Sequence, residues 1–330
     1  MKNKTVLFIL ILSALSVVLI ITDISLRRFS TSETAKIKGG KDFGFNFLKS
    51  GSGSKYIKIF RIEGVLTTAG EESLFGFRGG ADYYAEEIEK CSKDDMIAGI
   101  LLRINSPGGA VCASQEIFNA LNKFKRTTGK PVIASMAEIA ASGGYHIASA
   151  ADSIFAGAGT LTGSIGVIIG GVTIQKLIDK IGIEPNVYTN DKHKDIMSPY
   201  RQPTAEEKKI MNDMVKTVYD QFLKDVKSSR KNKFKKPDKE LFDGRIFSGI
   251  QALEFGLVDY IGGYSESLEY LWTLTGNTGE PVIKTGDSEN FFVKLLNESL
   301  FSNNIFKTIS KRIEFENSPS LKYLYRGDLN

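Results

Sequence analysis

Two apolar runs of strand length, residues 96–104 and 131–136, each lead toward a glycine turn and then a helical pattern. This order limits the fold more than any other feature of the chain. A short apolar run with no polar alternation suits a strand buried on both faces. Strand, turn and helix repeated in that order are the pattern of an α/β fold with mostly parallel pairing. The first turn is Asn105-Ser106-Pro107-Gly108-Gly109 and the second is Ala141-Ser142-Gly143-Gly144-Tyr145. Ser142, with small residues on both sides, is expected to be exposed. Its oxygen would stand at a helix N-terminus, where free N–H groups favour negative charge. Several hydrolase folds present a nucleophilic serine this way, although a plain helix N-cap serine has the same local sequence.

The other segments fit the same alternation. Residues 56–62 alternate with period two, as a strand does, and 81–91 read as a helix. Residues 111–125 read as an amphipathic helix with Ile117, Leu121 and Phe124 on one face. Strands are expected near Ile154, at 165–169 and at 186–189, with a helix at 172–181. Thr204-Ala205-Glu206-Glu207 is a capping box. It opens a helix to about Val226, whose expected buried face is Ile210, Met211, Met214, Val218 and Phe222. Residues 227–236 hold six basic side chains in ten and read as a solvated turn.

Composition excludes some classes. Of 330 residues, 42% are hydrophobic and 25% charged, as in an ordinary globular protein. A net charge of +5 is modest, and no nucleic-acid partner is expected. Two cysteines, Cys91 and Cys112, make no disulfide framework, and two histidines are too few for a histidine-based metal site unless carboxylates supply the other ligands. Compartment is read from the N-terminus. A leader with Lys2 and Lys4 precedes 18 uncharged residues, 5–22, rich in Leu, Ile and Val. As a helix that run is about 27 Å long, near the thickness of a hydrocarbon core. An uncleaved signal anchor is expected, because a cleaved signal peptide has a shorter apolar region ending in small residues. Residues 23–55 read as a flexible linker.

A nucleophilic serine needs a base. His146 lies one turn along the same helix, and its ring must bend back to reach Ser142. His193 sits in a polar loop. The segment Asp191-Lys192-His193-Lys194-Asp195 offers two lysines, and Lys194 lies closer to the apolar pair Ile196-Met197. A lysine acts as a base only if desolvation or a nearby cation brings its pKa toward neutrality. Asp191 and Asp195 must therefore point away from it. Two amides from separate turns, aimed at one point, would make an oxyanion hole. Alone, the 105–109 turn reads equally as a plain Pro-Gly turn.

Five motifs in order now carry a resemblance: the two glycine turns, Leu161-Thr162-Gly163-Ser164-Ile165-Gly166, His193-Lys194-Asp195, and Gly244-Arg245-Ile246-Phe247-Ser248-Gly249. Gly256-Leu257-Val258-Asp259 also fits. The set resembles the bacterial signal peptide peptidases of the protease IV family, over about residues 56–265. The resemblance implies the α/β fold of the Clp protease proteolytic subunit and the crotonases. It implies a serine–lysine dyad of Ser142 and Lys194, with Ser164 hydrogen-bonded to the amine and the amides of Gly109 and Gly143 holding the oxyanion. It implies peptide substrates, remnant signal peptides and other apolar segments at the membrane, with no metal or nucleotide cofactor. Short members like this chain resemble those that form ring-shaped homo-oligomers, the lysine reaching the serine across a protomer boundary.

The chain then divides into a leader at 1–4, a transmembrane anchor at 5–22, a linker at 23–55, a peptidase domain at 56–265 and a tail at 266–330. The peptidase domain is expected outside the cell. A crotonase-like acyl-CoA enzyme and a non-catalytic membrane scaffold stay open. The tail has weak helical segments at 291–300 and 305–312 and ends in Leu321-Lys322-Tyr323-Leu324-Tyr325, which can lie extended. It is expected either to pack or stay disordered, or to occupy the chain's own substrate groove.

Overall fold

The computed structural model describes residues 55–73, 76–285 and 322–324. The expected leader, the anchor, the linker up to residue 54 and the two weak tail helices lie outside the described residues. Among the described residues no helix is long and apolar enough to cross a membrane.

The elements run β1 (Tyr56–Glu63), β2 (Glu71–Ser73), β3 (Gly76–Arg78), α1 (Ala81–Cys91), β4 (Ile97–Ser106), β5 (Gly108–Ala110), α2 (Val111–Thr128), β6 (Val132–Ala141) and α3 (Gly143–Ser149). They continue with β7 (Ser153–Ala156), β8 (Leu161–Gly163), α4 (Gln175–Lys180), α5 (Ala205–Arg230), α6 (Asp238–Leu241), β9 (Ile246–Ser248), α7 (Gly249–Phe255), β10 (Tyr260–Ile261), α8 (Tyr264–Leu274), β11 (Ile283–Thr285) and β12 (Lys322–Leu324). The main sheet has the order β10-β7-β6-β4-β1-β11, all parallel. β8 adds to the far end of β6 in parallel, and β9 pairs antiparallel with β8. The α/β class with a parallel sheet is therefore as expected.

Both faces of the central strands are buried, which is why their sequences lack polar alternation. Ile100, Leu102 and Ile104 of β4 and Val132, Ala134 and Met136 of β6 point into one core, shared with α1, α2, α3 and α5. Leu101 and Ile133 point the other way, into a smaller cluster with Leu271 and Trp272 of α8. β1 splits likewise, Phe60 and Ile62 on one face and Ile57 and Ile59 on the other.

Four local expectations are corrected. The strand at 165–169 is displaced to β8, because Gly163 (φ 79°) and Ser164 (φ 50°) turn the chain out of the extended region. Residues 186–189 form no strand; Val187 and Tyr188 are exposed and find no strand to pair with. The helix at 172–181 shortens to α4. The capping box at Thr204 and Glu207 is present, but the expected buried face of α5 is met only in its second half, at Val218 and Phe222. Ile210 and Met214 are exposed, and the buried apolar residues are Phe222 and Val226, where the helix reaches the core.

The basic run is not a simple solvated turn. α5 continues to Arg230, which is 1% exposed and bonds the Asp259 carboxylate through Nη1 at 2.7 Å and Nη2 at 3.1 Å. Asp259 Oδ2 also accepts the Ile154 amide at 2.9 Å, so the pair ties α5 to β7.

Candidate active site

β6 ends at Ala141, α3 starts at Gly143, and Ser142 makes the corner with φ 54° and ψ −116°. An L-residue is disfavoured there. Two hydrogen bonds hold it: Ser142 N donates to Gly163 O at 2.8 Å, and His146 N donates to Ser142 O at 2.9 Å. Its side chain makes no helix-capping hydrogen bond, unlike the plain N-cap serine the sequence also allowed. The expected exposure is not found. Ser142 is 1% exposed, at the junction of β6, β8 and α3.

The same bond brings the second serine alongside, since Gly163 immediately precedes Ser164. Ser164 N donates to Arg245 O at 2.8 Å, so the 244–249 motif fixes this turn from outside through β9. Ser164, like Ser142, has positive φ and is buried.

The two glycine turns meet. Ser106 stands opposite Ala140 in the sheet, and a Cβ on Gly144 would lie 2.7 Å from Ser106 O. Glycine at 144 therefore lets α3 start directly against the end of β4. Gly109 is required for a similar reason: a Cβ there would lie 2.3 Å from Leu66 O. Leu66 uses its own N–H on Gly108 O and its carbonyl on Ala110 N, at 2.8 and 2.9 Å. The N–H and C=O of Gly109 thus face the opposite side. Along that side runs β12, antiparallel, with Tyr323 opposite Gly109. Gly143, first residue of α3, has an N–H that the helix itself does not use.

Lys194 lies in the exposed loop before α5. No hydrogen bond or ion pair joins its amine to Ser142, to Ser164 or to any carboxylate among the described residues. The histidines are committed elsewhere. His193 Nε2 lies 3.4 Å from Glu206. His146 is 1% exposed, with Nδ1 3.1 Å from Ser114 Oγ and Nε2 3.3 Å from Asp225. Burial pushes its pKa down, against the pull of Asp225. Ser114, His146 and Asp225 imitate a catalytic triad in composition, but Ser114 is within α2 and its hydroxyl donates to Val111 O at 2.9 Å. The ring of His146 stacks on Phe118 at 4.6 Å. This set locks α3 to α2 and α5.

Two partners escaped the sequence reading. Asp225 is one of many exposed-looking helix carboxylates. Arg201 gives no signal in sequence, yet it bonds both Asp195 and Glu207. Beside the Lys194 loop is a groove whose apolar lining includes Val167, Ile168, Val172, Met197, Met211 and Val215. Among the described residues no cluster of His, Cys, Asp or Glu has the makings of a metal site.

Comparison with known proteins adds the following. Residues 124–276 match the family described as Peptidase family S49. The chain is 33% identical over 299 residues to a protein of Enterococcus faecium named signal peptide peptidase SppA, the match covering 88% of this chain and 86% of that one. It is 33% identical over 214 residues to Protease 4 of Haemophilus influenzae, covering 64% of this chain and 34% of that longer one. It is 32% identical over 236 residues to the chloroplastic serine protease SPPA of Arabidopsis thaliana, covering 71% of this chain and 33% of that one. A solved structure of a membrane-bound stomatin-specific protease matches 72% of this chain and 99% of its own, with a TM-score of 0.45 and 16% identity.

Proposed function

The chain belongs to peptidase family S49, and on that premise we propose that it is a serine endopeptidase working through a Ser142–Lys194 dyad. The reading is carried by the Ser142 corner, where a non-glycine residue is held at φ 54° at the start of a helix, next to Ser164 and against the Gly109 turn. A backbone outlier of this kind is kept where the site needs it.

In the mechanism, Lys194 Nζ is neutral and takes the proton from Ser142 Oγ as that oxygen attacks a peptide carbonyl. The N–H groups of Gly109 and Gly143 receive the oxyanion. Lys194 then passes the proton to the leaving amine, and an acyl-enzyme remains. Water gives a proton to Lys194 as it attacks the ester, and Lys194 passes that proton to the departing Ser142 Oγ, which restores the free serine and the neutral amine. Ser164 accepts a hydrogen bond from the amine in its protonated form and keeps it aimed. The scheme uses no metal or nucleotide.

We assign the dyad to two protomers of a ring. In one protomer Lys194 is exposed and has no bond to either serine. The segment around it is unusually apolar for a surface, with Val172 74%, Ile181 61% and Tyr188 92% exposed. A neighbouring copy over this segment would cover it and dry the lysine, which favours the neutral amine. The parallel sheet with helices on both faces is consistent with a Clp protease/crotonase-like fold. The uncharged run at 5–22 supports a single-pass anchor, with the peptidase domain outside the cell. The substrates we propose are remnant signal peptides and other apolar peptides at the membrane.

A serine-reactive fluorophosphonate and a short fluorogenic peptide test the reading together. Ser142→Ala should lose labelling and turnover, Lys194→Ala should lose roughly 10³-fold or more in turnover, and the double variant should be no worse than either. Lys192→Ala should stay active, since that amine is paired with Glu206 at 2.9 Å. Full turnover in Lys194→Ala, with His193→Ala dead, would overturn the lysine assignment. Turnover of acyl-CoA without Ser142 would indicate the crotonase class, and an unlabelled, inactive parent protein a scaffold.

A further inference from the structure

Lys194 and Asp195 are adjacent in one loop, yet a lysine base and a carboxylate are poor neighbours. A carboxylate within about 4–6 Å favours the ammonium form, and the ammonium form cannot take a proton. The charged groups around the loop resolve this. Asp191 Oδ1 accepts the Lys192 amide at 2.8 Å. Glu206 is held by Lys192 Nζ at 2.9 Å and faces His193 Nε2 at 3.4 Å. Asp195 and Glu207 share one guanidinium, that of Arg201. α4 meets the loop through Ile174 N to Pro199 O at 2.7 Å and through Gln175 to the Gln202 amide at 3.0 Å. It carries Lys176, Asp179 and Lys180, none bonded to the loop among the described residues.

We propose that Arg201 is a positioning residue for the base: by clamping Asp195 it withholds that carboxylate from the Lys194 amine. The proposal rests on the Ser142–Lys194 reading. The clamp has a fixed end and a carried end. Glu207 is 1% exposed and is locked in the capping box, where its Oε2 accepts the Thr204 amide at 2.8 Å. Arg201 Nη1 and Nη2 donate to Glu207 at 2.8 and 2.5 Å. Its Nε and Nη2 donate to the two Asp195 oxygens, both at 2.7 Å. The planar fork thus fixes the Asp195 carboxylate relative to the first turn of α5, which a lysine, as a point charge, cannot do. The guanidinium holds the Asp195 carboxyl below its ordinary range, and brings that of Glu207 down to about 2. Both remain anionic wherever the enzyme works, so without Arg201 a full negative charge would be free next to the base.

The test is the pH profile of kcat/KM for the full-length protein in detergent with a short fluorogenic peptide. Arg201→Gln should move the acidic limb up by about one pH unit, a tenfold loss below the limb. Adding Asp195→Asn should return the limb to its original place, although the melting temperature stays low because Glu207 remains unpaired. A merely structural arginine would lower both melting temperature and rate without moving the limb. An unmoved limb in assembled Arg201→Gln, or a shift that persists with Asp195→Asn, overturns the proposal. If Arg201→Gln does not fold, Arg201→Lys gives the same comparison with a smaller upward shift, and no shift there counts against the clamp. Lys194→Ala, run alongside, separates the premise: if it is fully active, the dyad has failed and not the clamp.

Discussion

Ser142 holds a strained backbone at the corner between β6 and α3. A non-glycine residue at φ 54° and ψ −116° costs about 1–3 kcal/mol, while a glycine is at home there but has more unfolded-state entropy to lose. Ser142→Gly should therefore be inactive and about 1 kcal/mol more stable than the parent, whereas Ser142→Ala should be inactive with no such gain. Denaturant melts of the three proteins check this. A Ser142→Gly protein that unfolds before the parent would mean that the corner is relaxed. At this scale the strand-to-helix corner at Ser142 was legible, since small residues before a Gly-Gly pair mark a tight turn, although the same residues also fit a plain N-cap serine. Asp225 was not, because its partner His146 lies on another element, and Arg201 was not, because its partners, six residues away on either side, meet it only when the loop folds back on the first turn of α5.

Among the elements, β5 has a role out of proportion to its three residues. One edge is taken by Leu66, and the other, with the N–H and C=O of Gly109, is the edge to which an extended peptide would add as a strand. β12 of the same chain is paired there, antiparallel, with Tyr323 opposite Gly109. The pairing fits packing on the domain, and in the proposed peptidase it would also compete with substrate, as a tethered strand at high effective concentration does. A chain ending after Thr285 keeps β11, which pairs with β1, and loses β12. It should hydrolyse a short peptide several-fold faster, mainly through a lower KM. An unchanged rate in a truncated protein that still assembles would reduce β12 to packing.

For the whole molecule, the first half of α5 and the segment before it present apolar residues that one protomer leaves open, among them Ile168, Val172, Met214 and Tyr188. A patch of this kind calls for a partner, and in the proposed ring a second copy of the chain would also bring a serine to Lys194. Inactive Ser142→Ala protein mixed with inactive Lys194→Ala protein should then recover activity, because some boundaries in a mixed ring pair an intact serine with an intact lysine. Recovery should follow the time course of subunit exchange, measured by energy transfer between labelled subunits. Exchange without recovery would put both residues in one protomer.

The sequence by itself determined the class of fold and the order of its central elements, because β4 and β6 are buried on both faces and a strand so placed has to be apolar throughout. It also determined the Ser142 corner and the cap at Thr204, whose signals are complete within a few residues. Only the tertiary structure decided the rest. The segment 186–189 looked like a strand, but a strand exists only with a neighbour. The apolar stripe of α5 looked like a core face, but Ile210 and Met214 on it are exposed. Arg230 looked like one charge in a solvated run, but the helix carries it inward to Asp259. In each case the missing information was a partner distant in sequence, which hydrophobic periodicity and residue type do not encode.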